Sequence, residues 1–427
     1  MNRTLLLLLA TMLTGPSVAN AATHDRCITG ATLYTATEAP RPATVCITAG
    51  RISGIFGPPD AENGRQVTFE TAEVIDATGA WLTAGFTDVG TQVGLIDIEQ
   101  EHDANDTEGG GDPVRAALRA EFDYNPDSAV IPVCRSGGLT SVVSGHSGGL
   151  ISGVAQWFDL GRGGVTEVTP PQRGLLRASY GSGAGHTVGG SRGDALLRYL
   201  ELLDDVRRFA GSRSDFLQNR MNELTLSQTD LEAMIPYAVT GGTWLFDVHR
   251  RSDIETLLRF AADKRLTFAF TGAEEAWKLA PTLAKTGSMV VVQSYSNLPG
   301  SFDELGSRED NAALLDKAGV RVVLTTGETH NARNLRFVAG NAVRAGLPWQ
   351  RALAAVTLHP AMLAGVDRDY GDVTVGRVAN LAVWSGDPFE TSTTVLRLFV
   401  RGESLPTTSR QHDLMRRYRS MDSFLRP

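Results

Sequence analysis

From residue 139 to residue 327 the chain repeats one pattern, a short apolar run followed by a helical stretch. LTSVVSG (139–145), TWLFDVH (243–249), LTFAFTG (266–272), SMVVVQ (288–293) and RVVLTTG (321–327) read as strands. Helices are expected over 192–211, 252–265, 273–285 and 309–318, and again from 331 and from 348. Strands alternating with helices imply a parallel sheet. Runs that are apolar on both faces imply cover on both faces. In the first helix Leu196, Leu197, Leu200, Leu203 and Val206 make one apolar stripe. In the second, Ser252 and Glu255 form a capping-box pair.

The two ends differ from this middle. CITGATLYT and ATVCITAGRISGIFG (27–57) flank the turn-rich APRP, and AEVID (72–76) adds a strand. VANLAVWSG (378–386) and VLRLFVRG (395–402) are strands with no helix between them. The expected architecture is therefore α/β: a (β/α)8 TIM-like barrel over 81–369, and a small β-sandwich domain composed of 22–80 and 370–407. A C-terminal helix is expected over 408–427.

Residues 1–21 have the form of a secretory leader, with Arg3, an apolar run from Leu5 to Leu13, and Ala19-Asn20-Ala21 as a small-residue cleavage site. The run is shorter than the ~20 residues a spanning helix needs. Export to the periplasm or medium is the expectation, without membrane insertion after cleavage. In such a compartment Cys27 and Cys46, on adjacent expected strands, either pair or stay as buried thiols, and Cys134 is left over. The formal net charge of −8 disfavours phosphate backbones and anionic membranes, so nucleic acid is not an expected partner.

Trp81 to Gln100, WLTAGFTDVGTQVGLIDIEQ, leads an apolar strand into Asp88 and a loop. It resembles the first-strand signature of the amidohydrolase superfamily, through Ala84, Gly85, Phe86 and Asp88. Residues 112–153, VHRRSDIETLLRFA (248–261), GAEEAWKLA (272–280), THNARNLRFVAG (329–340), TLHPAMLAGV (357–366) and GDVTVGRVANLAVWSGDPFE (371–390) are similar to imidazolonepropionase-like members. The resemblance implies hydrolysis of a C–N bond in a small amide, cyclic amide or dipeptide-like substrate. Water would be activated by divalent metal at the barrel's C-terminal mouth.

The ligand set implied by the resemblance is mostly replaced. Gly90 and Gln92 stand where the first strand carries its two histidines. The strand-four region, placed near Thr240 to Gly242, offers no acid or Lys, and the strand-six position near Thr271 and Gly272 offers no His. His249 matches the strand-five ligand. The strand-eight position falls near Thr326 and Gly327, beside Glu328. A two-metal centre is not expected; one zinc held by His249 is the candidate cofactor. Glu328, His330 and Asp88 are the candidate catalytic residues, and Gln92, Glu99, Asn331 and Arg333 the candidate binding residues, for a small-molecule substrate or ligand. Glu274 and Glu275 open a helix, where acids suit the dipole. His102 is expected in solvent and His359 in a turn.

GHSGG (145–149) fits the nucleophile-elbow pattern with Ser147 at its centre, but LISGVAQWFDL after it is strand-like, where an elbow leads into a helix. GSGAGHTVGG (181–190) lacks the Lys-Ser/Thr of a phosphate loop and reads as a flexible loop. Two functions stay open: a divergent hydrolase, and a pseudoenzyme that binds a ligand or an active paralogue. A homo-oligomer is compatible with either.

Overall fold

The computed structural model describes residues 23–57, 70–108, 111–214, 218, 224–294 and 298–419. The leader expected over 1–21 lies outside the described residues; of the helix expected over 408–427, Arg410–Arg419 is helical and 420–427 lies outside them. An eight-stranded sheet forms the barrel wall. Its strands are β1 (Phe86–Thr91), β2 (Leu139–Ser144), β3 (Ile151–Asp159), β4 (Leu175–Ser179), β5 (Thr243–Val248), β6 (Thr267–Gly272), β7 (Val290–Val292) and β8 (Val322–Leu324). The order around the wall is the order in sequence. One strand departs from the parallel expectation: β3 runs antiparallel to both β2 and β4. The connection from β2 to β3 is too short to hold a crossover helix, so the strand must turn back on its neighbour.

Side-chain alternation separates the two faces of the wall. Val89, Val143, Trp157, Leu175, Leu245, Ala269, Val291 and Val323 fill the lumen. Their neighbours Phe158, Leu176, Phe246, Phe270 and Leu324 pack outward against the helices. In helix Arg192–Gly211 the buried stripe is Ala195, Tyr199, Leu202, Val206 and Phe209 with Leu203, and Leu197 is 60% exposed. The inward stripe is thus rotated from the expected one. Tyr199 explains it, since its hydroxyl reaches the carbonyls of Leu150 (2.8 Å) and Ser179 (2.9 Å), which share its single proton. The capping box at Ser252 and Glu255 does not form. Helix Arg251–Lys264 starts one residue earlier, with no side-chain cap at Arg250, and Glu275 accepts from the Arg251 amide at 2.8 Å. Residues 181–190 are not a loop: Ser182–Val188 is helical, and a Cβ on Gly185 would lie 2.6 Å from the Ser191 backbone. His359 is buried within helix Leu358–Ala364, not in a turn, its Nδ1 2.6 Å from the Val322 carbonyl.

The second sheet draws on both ends of the chain. Thr23–Leu33 pairs with Arg41–Thr48, Glu70–Asp76 and Trp81–Ala84, and Trp81–Ala84 pairs in turn with Leu381–Trp384. The chain therefore passes from this sheet into the barrel at Gly85. Cys27 and Cys46 face each other in register and form a disulfide, while Cys134 is buried and free. Among the described residues no helix is long and apolar enough to cross a membrane.

β8 and β1 close the wall without a strand ladder among the described residues. Side chains bridge them instead. The Thr325 hydroxyl lies 2.7 Å from both Asp88 Oδ1 and the Val89 carbonyl, with its single proton to share between them. The Thr326 amide reaches Asp88 Oδ1 at 3.2 Å, the Thr326 hydroxyl donates to Asp88 Oδ2, and the Val89 amide caps Oδ1 at 2.9 Å. Asp88 is fully buried, and desolvation pushes its carboxyl up to about 7 against these hydrogen bonds. An unfolded aspartate ionises near 4, so raising pH from there to about 7 forces a charge onto the native seam and lowers stability. Asp88→Asn lacks this penalty. Denaturant titrations should show the stability difference moving in favour of Asp88→Asn as pH rises from 4 to 7; a pH-independent difference refutes the assignment.

Candidate functional site

The C-terminal ends of the strands bring a second layer of side chains to the lumen, two residues beyond the apolar floor. Leu175 is followed by Arg177, Leu245 by Asp247, Ala269 by Thr271, and Val291 by Gln293. His249 begins just past β5. Its Nδ1 lies 2.7 Å from Glu274 Oε2, and its Nε2 3.7 Å from Asp247 Oδ1. Gly272, at φ +74, makes this possible: a Cβ there would stand 2.7 Å from His249 Nδ1.

Burial disfavours a charged imidazole at His249, yet the Glu274 hydrogen bond and the carboxylates of Asp247, Glu274 and Glu304 outweigh it and hold the group at about 9. His249 is thus a cation at neutral pH. Asp247 is deep in the mouth but reaches its water, with a side chain 49% exposed. Desolvation raises its carboxyl above the usual range, against His249 and Arg177. A cavity of about 410 Å³ opens over this pair, lined also by Gly148, Tyr180, Ser301 and Asp303. A cleft of about 460 Å³ at the opposite end, between Arg51, Arg162 and Arg401, has two of these charges already paired, Arg51 with Asp369 (2.6 Å) and Arg162 with Glu403 (3.1 Å). The mouth is the better site on chemical grounds.

The structure distributes the residues singled out by sequence over separate places. Asp88 is spent on the seam. His330 meets Glu99 (Nδ1 to Oε1, 3.2 Å) and the Asp97 carbonyl (3.1 Å), both acid and imidazole being exposed, so this pair clasps two surface loops. Gln92 donates to Ser147 Oγ at 2.9 Å. Glu328, Asn331 and Arg333 are exposed. Among the described residues neither a hydrogen bond nor an ion pair links Glu328 to His249. Ser147 bonds to Gln92 and the Thr107 carbonyl, not to a histidine, and β3 follows it as a strand. His146 is buried against Asp123 (2.8 Å). His102 is exposed.

Three residues of the mouth were not singled out as functional in the sequence. Asp247 is signalled only by alternation with Leu245. Glu274 does not merely open a helix; it orients His249. Arg177 lies on β4, and β4 is Leu175–Ser179, not the region near Thr240 to Gly242, which forms the turn into β5.

Residues 269–405 match the Amidohydrolase family. The chain is 23% identical over 363 residues to "Amidohydrolase tasK" of Hapsidospora irregularis, covering 78% of this chain and 37% of that protein. It thus spans little more than a third of the relative's length. Among solved structures, an amidohydrolase from Thermotoga maritima MSB8 superposes with a TM-score of 0.79 at 22% identity, over 89% of this chain and 99% of that one. An adenosine deaminase from Xanthomonas campestris with bound zinc gives 0.54 at 15% identity, over 94% and 99%. The fold is that of the amidohydrolase barrels. The family match extends over residues 269–405, so the chain is similar to the amidohydrolases in sequence there and in fold over most of its length.

The donor set does not fit the zinc expected around His249. Among the described residues no group of three His, Cys, Asp or Glu side chains could hold a metal ion. His249 bonds Glu274 through Nδ1, which leaves Nε2 as its one nitrogen open to a ligand. Gly90 has no donor atom, and Gln92, whose Nε2 donates to Ser147 and Thr107, could offer only a neutral oxygen. Zinc takes three or four protein ligands. The Arg177 guanidinium lies in register with Leu245, one layer below Asp247, and the two charges feel each other. Imidazole titration followed by NMR should place His249 near 9, and Glu274→Gln should move it toward the ordinary 6.5. An unchanged value would remove Glu274 as the cause.

Proposed function

We propose that the mouth hydrolyses a C–N bond of a small amide, cyclic amide or dipeptide-like substrate, with Asp247 and His249 as base and acid. The observation that carries this is the Asp247–His249–Glu274 array over an open cavity at the strand ends. Asp247 takes a proton from water as its oxygen attacks the carbonyl carbon. His249, doubly protonated and fixed by Glu274, gives its Nε2 proton to the leaving nitrogen as the C–N bond breaks. Proton return from Asp247 to His249 completes the cycle. The family match and the amide-cleaving relatives, a β-aspartyl dipeptidase among them, support the reaction class. The leader-like residues 1–21 support an exported location.

A second reading, ligand binding without chemistry, is favoured by the depleted donor set at Gly90 and Gln92. Assays across a panel of small amides, lactams and dipeptides decide between them. Asp247 works ionised and His249 works protonated. The rate should therefore rise with pH through a carboxyl value above the ordinary aspartate range and fall through about 9. Asp247→Asn should lose on the order of 10² to 10⁴ of the rate. Binding of panel members with no hydrolysis of any of them would instead establish the second reading.

A further inference from the structure

Arg177 is a half-buried guanidinium that the reaction above does not use. It lies opposite Leu245 in the register of β4 and β5, and so points into the lumen with it. Its stem passes Gly145, where a Cβ would approach Arg177 Cδ to 3.2 Å and Ala155 to 2.6 Å. Its one hydrogen bond among the described residues runs from Nη1 to the Gly145 carbonyl, at 3.0 Å. A guanidinium has five N–H donors. The neighbouring carboxylate, Asp247, feels its charge but makes no ion pair with it among the described residues. Desolvation pulls this guanidinium below its usual range, yet none of its other nitrogens is among the enclosed, unpartnered atoms of the described residues, so those donors stay open to the lumen. Solvent still reaches Arg177 in part.

We propose that Arg177 is the ligand-anchoring group of the mouth, and that the ligand it takes is a small amide bearing a carboxylate. This rests on the placement of the reaction at Asp247 and His249. A planar carboxylate matches the guanidinium fork with two parallel hydrogen bonds, which neither a hydroxyl nor a neutral amide can do. Asp247 and Arg177 enter the lumen from adjacent strands, with Asp247 two residues nearer the rim. A carboxylate seated on Arg177 therefore directs the remainder of the ligand upward, past Asp247 to His249. The site would select N-acyl amino acids and dipeptides with a free C-terminus over neutral amides of the same size.

N-acetylglycine and its neutral counterpart N-acetylglycinamide are the probes, with calorimetric titration of the full chain. N-acetylglycine should bind saturably and the neutral amide at least about tenfold more weakly. Arg177→Met should abolish that preference, and Arg177→Lys should restore it in part, since an ammonium keeps the charge without the fork. Circular dichroism checks that each variant folds, and if Arg177→Met does not, the Lys variant and the probe pair in the unaltered protein still decide. Equal binding of the two probes, no saturable binding of N-acetylglycine, or an undiminished preference in the variants would overturn the proposal. Retained hydrolysis of neutral amides, still lost in Asp247→Asn, would sink this subsite alone. Carboxylate binding without hydrolysis would sink the catalytic reading and leave the subsite.

Discussion

The seam of the barrel centres on one carboxylate. Asp88 on β1 receives the hydroxyls of Thr325 and Thr326 and the Thr326 amide, where β8 has ended after three residues. No backbone ladder bridges this edge among the described residues. The position of every side chain around the mouth follows from this closure, because the strand ends converge only if the wall meets itself. A buried carboxylate is an expensive seam, since its charge is desolvated. It is tolerated because several donors converge on its two oxygens.

The fold was legible because its determinants repeat. The apolar runs at 243–249, 266–272, 288–293 and 321–327 each became a strand, shortened at one or both ends. The reversed strand β3 was not legible in this way. ISGVAQWFD is apolar on both faces, as a parallel strand would be, and its direction is set by the short connection before it. β4 has only five residues and follows a Pro-rich turn, so local pattern was weak there. The missed stripe on helix Arg192–Gly211 has a similar origin. A Leu-rich helix offers more than one apolar face, and a tertiary contact, Tyr199 with two carbonyls, selects one.

Of the side chains gathered at the candidate site, only His249 is marked in the sequence. That residue stands at a position the resemblance marks, whereas its partners do not. Glu274 has an adequate local explanation at a helix start, and nothing in one dimension shows it turning back 25 residues to an imidazole. Arg177 and Asp247 are charged residues in apolar strands, a pattern that indicates burial in a polar lumen only once the facing of those strands is known. Conversely, Glu328 and His330 follow a barrel strand, as site residues should, but Glu328 is exposed and His330 is engaged with the 97–99 loop.

The same carboxylates that would suit a metal centre here produce the opposite electrostatics. A ligating histidine must be neutral, and metal binding releases its proton. Asp247, Glu274 and Glu304 instead hold the proton on His249 to about 9, so the imidazole is itself the cation that the acids surround. Arg177 supplies a second fixed cation one layer lower. A divalent ion entering this mouth would have to displace a proton from His249 and sit near a guanidinium that cannot deprotonate. Two organic cations, both positioned by covalent geometry, thus share the lumen with Asp247, Glu274 and Glu304. They favour negative charge in the lumen, whether carried by a ligand or developing on a reacting carbonyl oxygen.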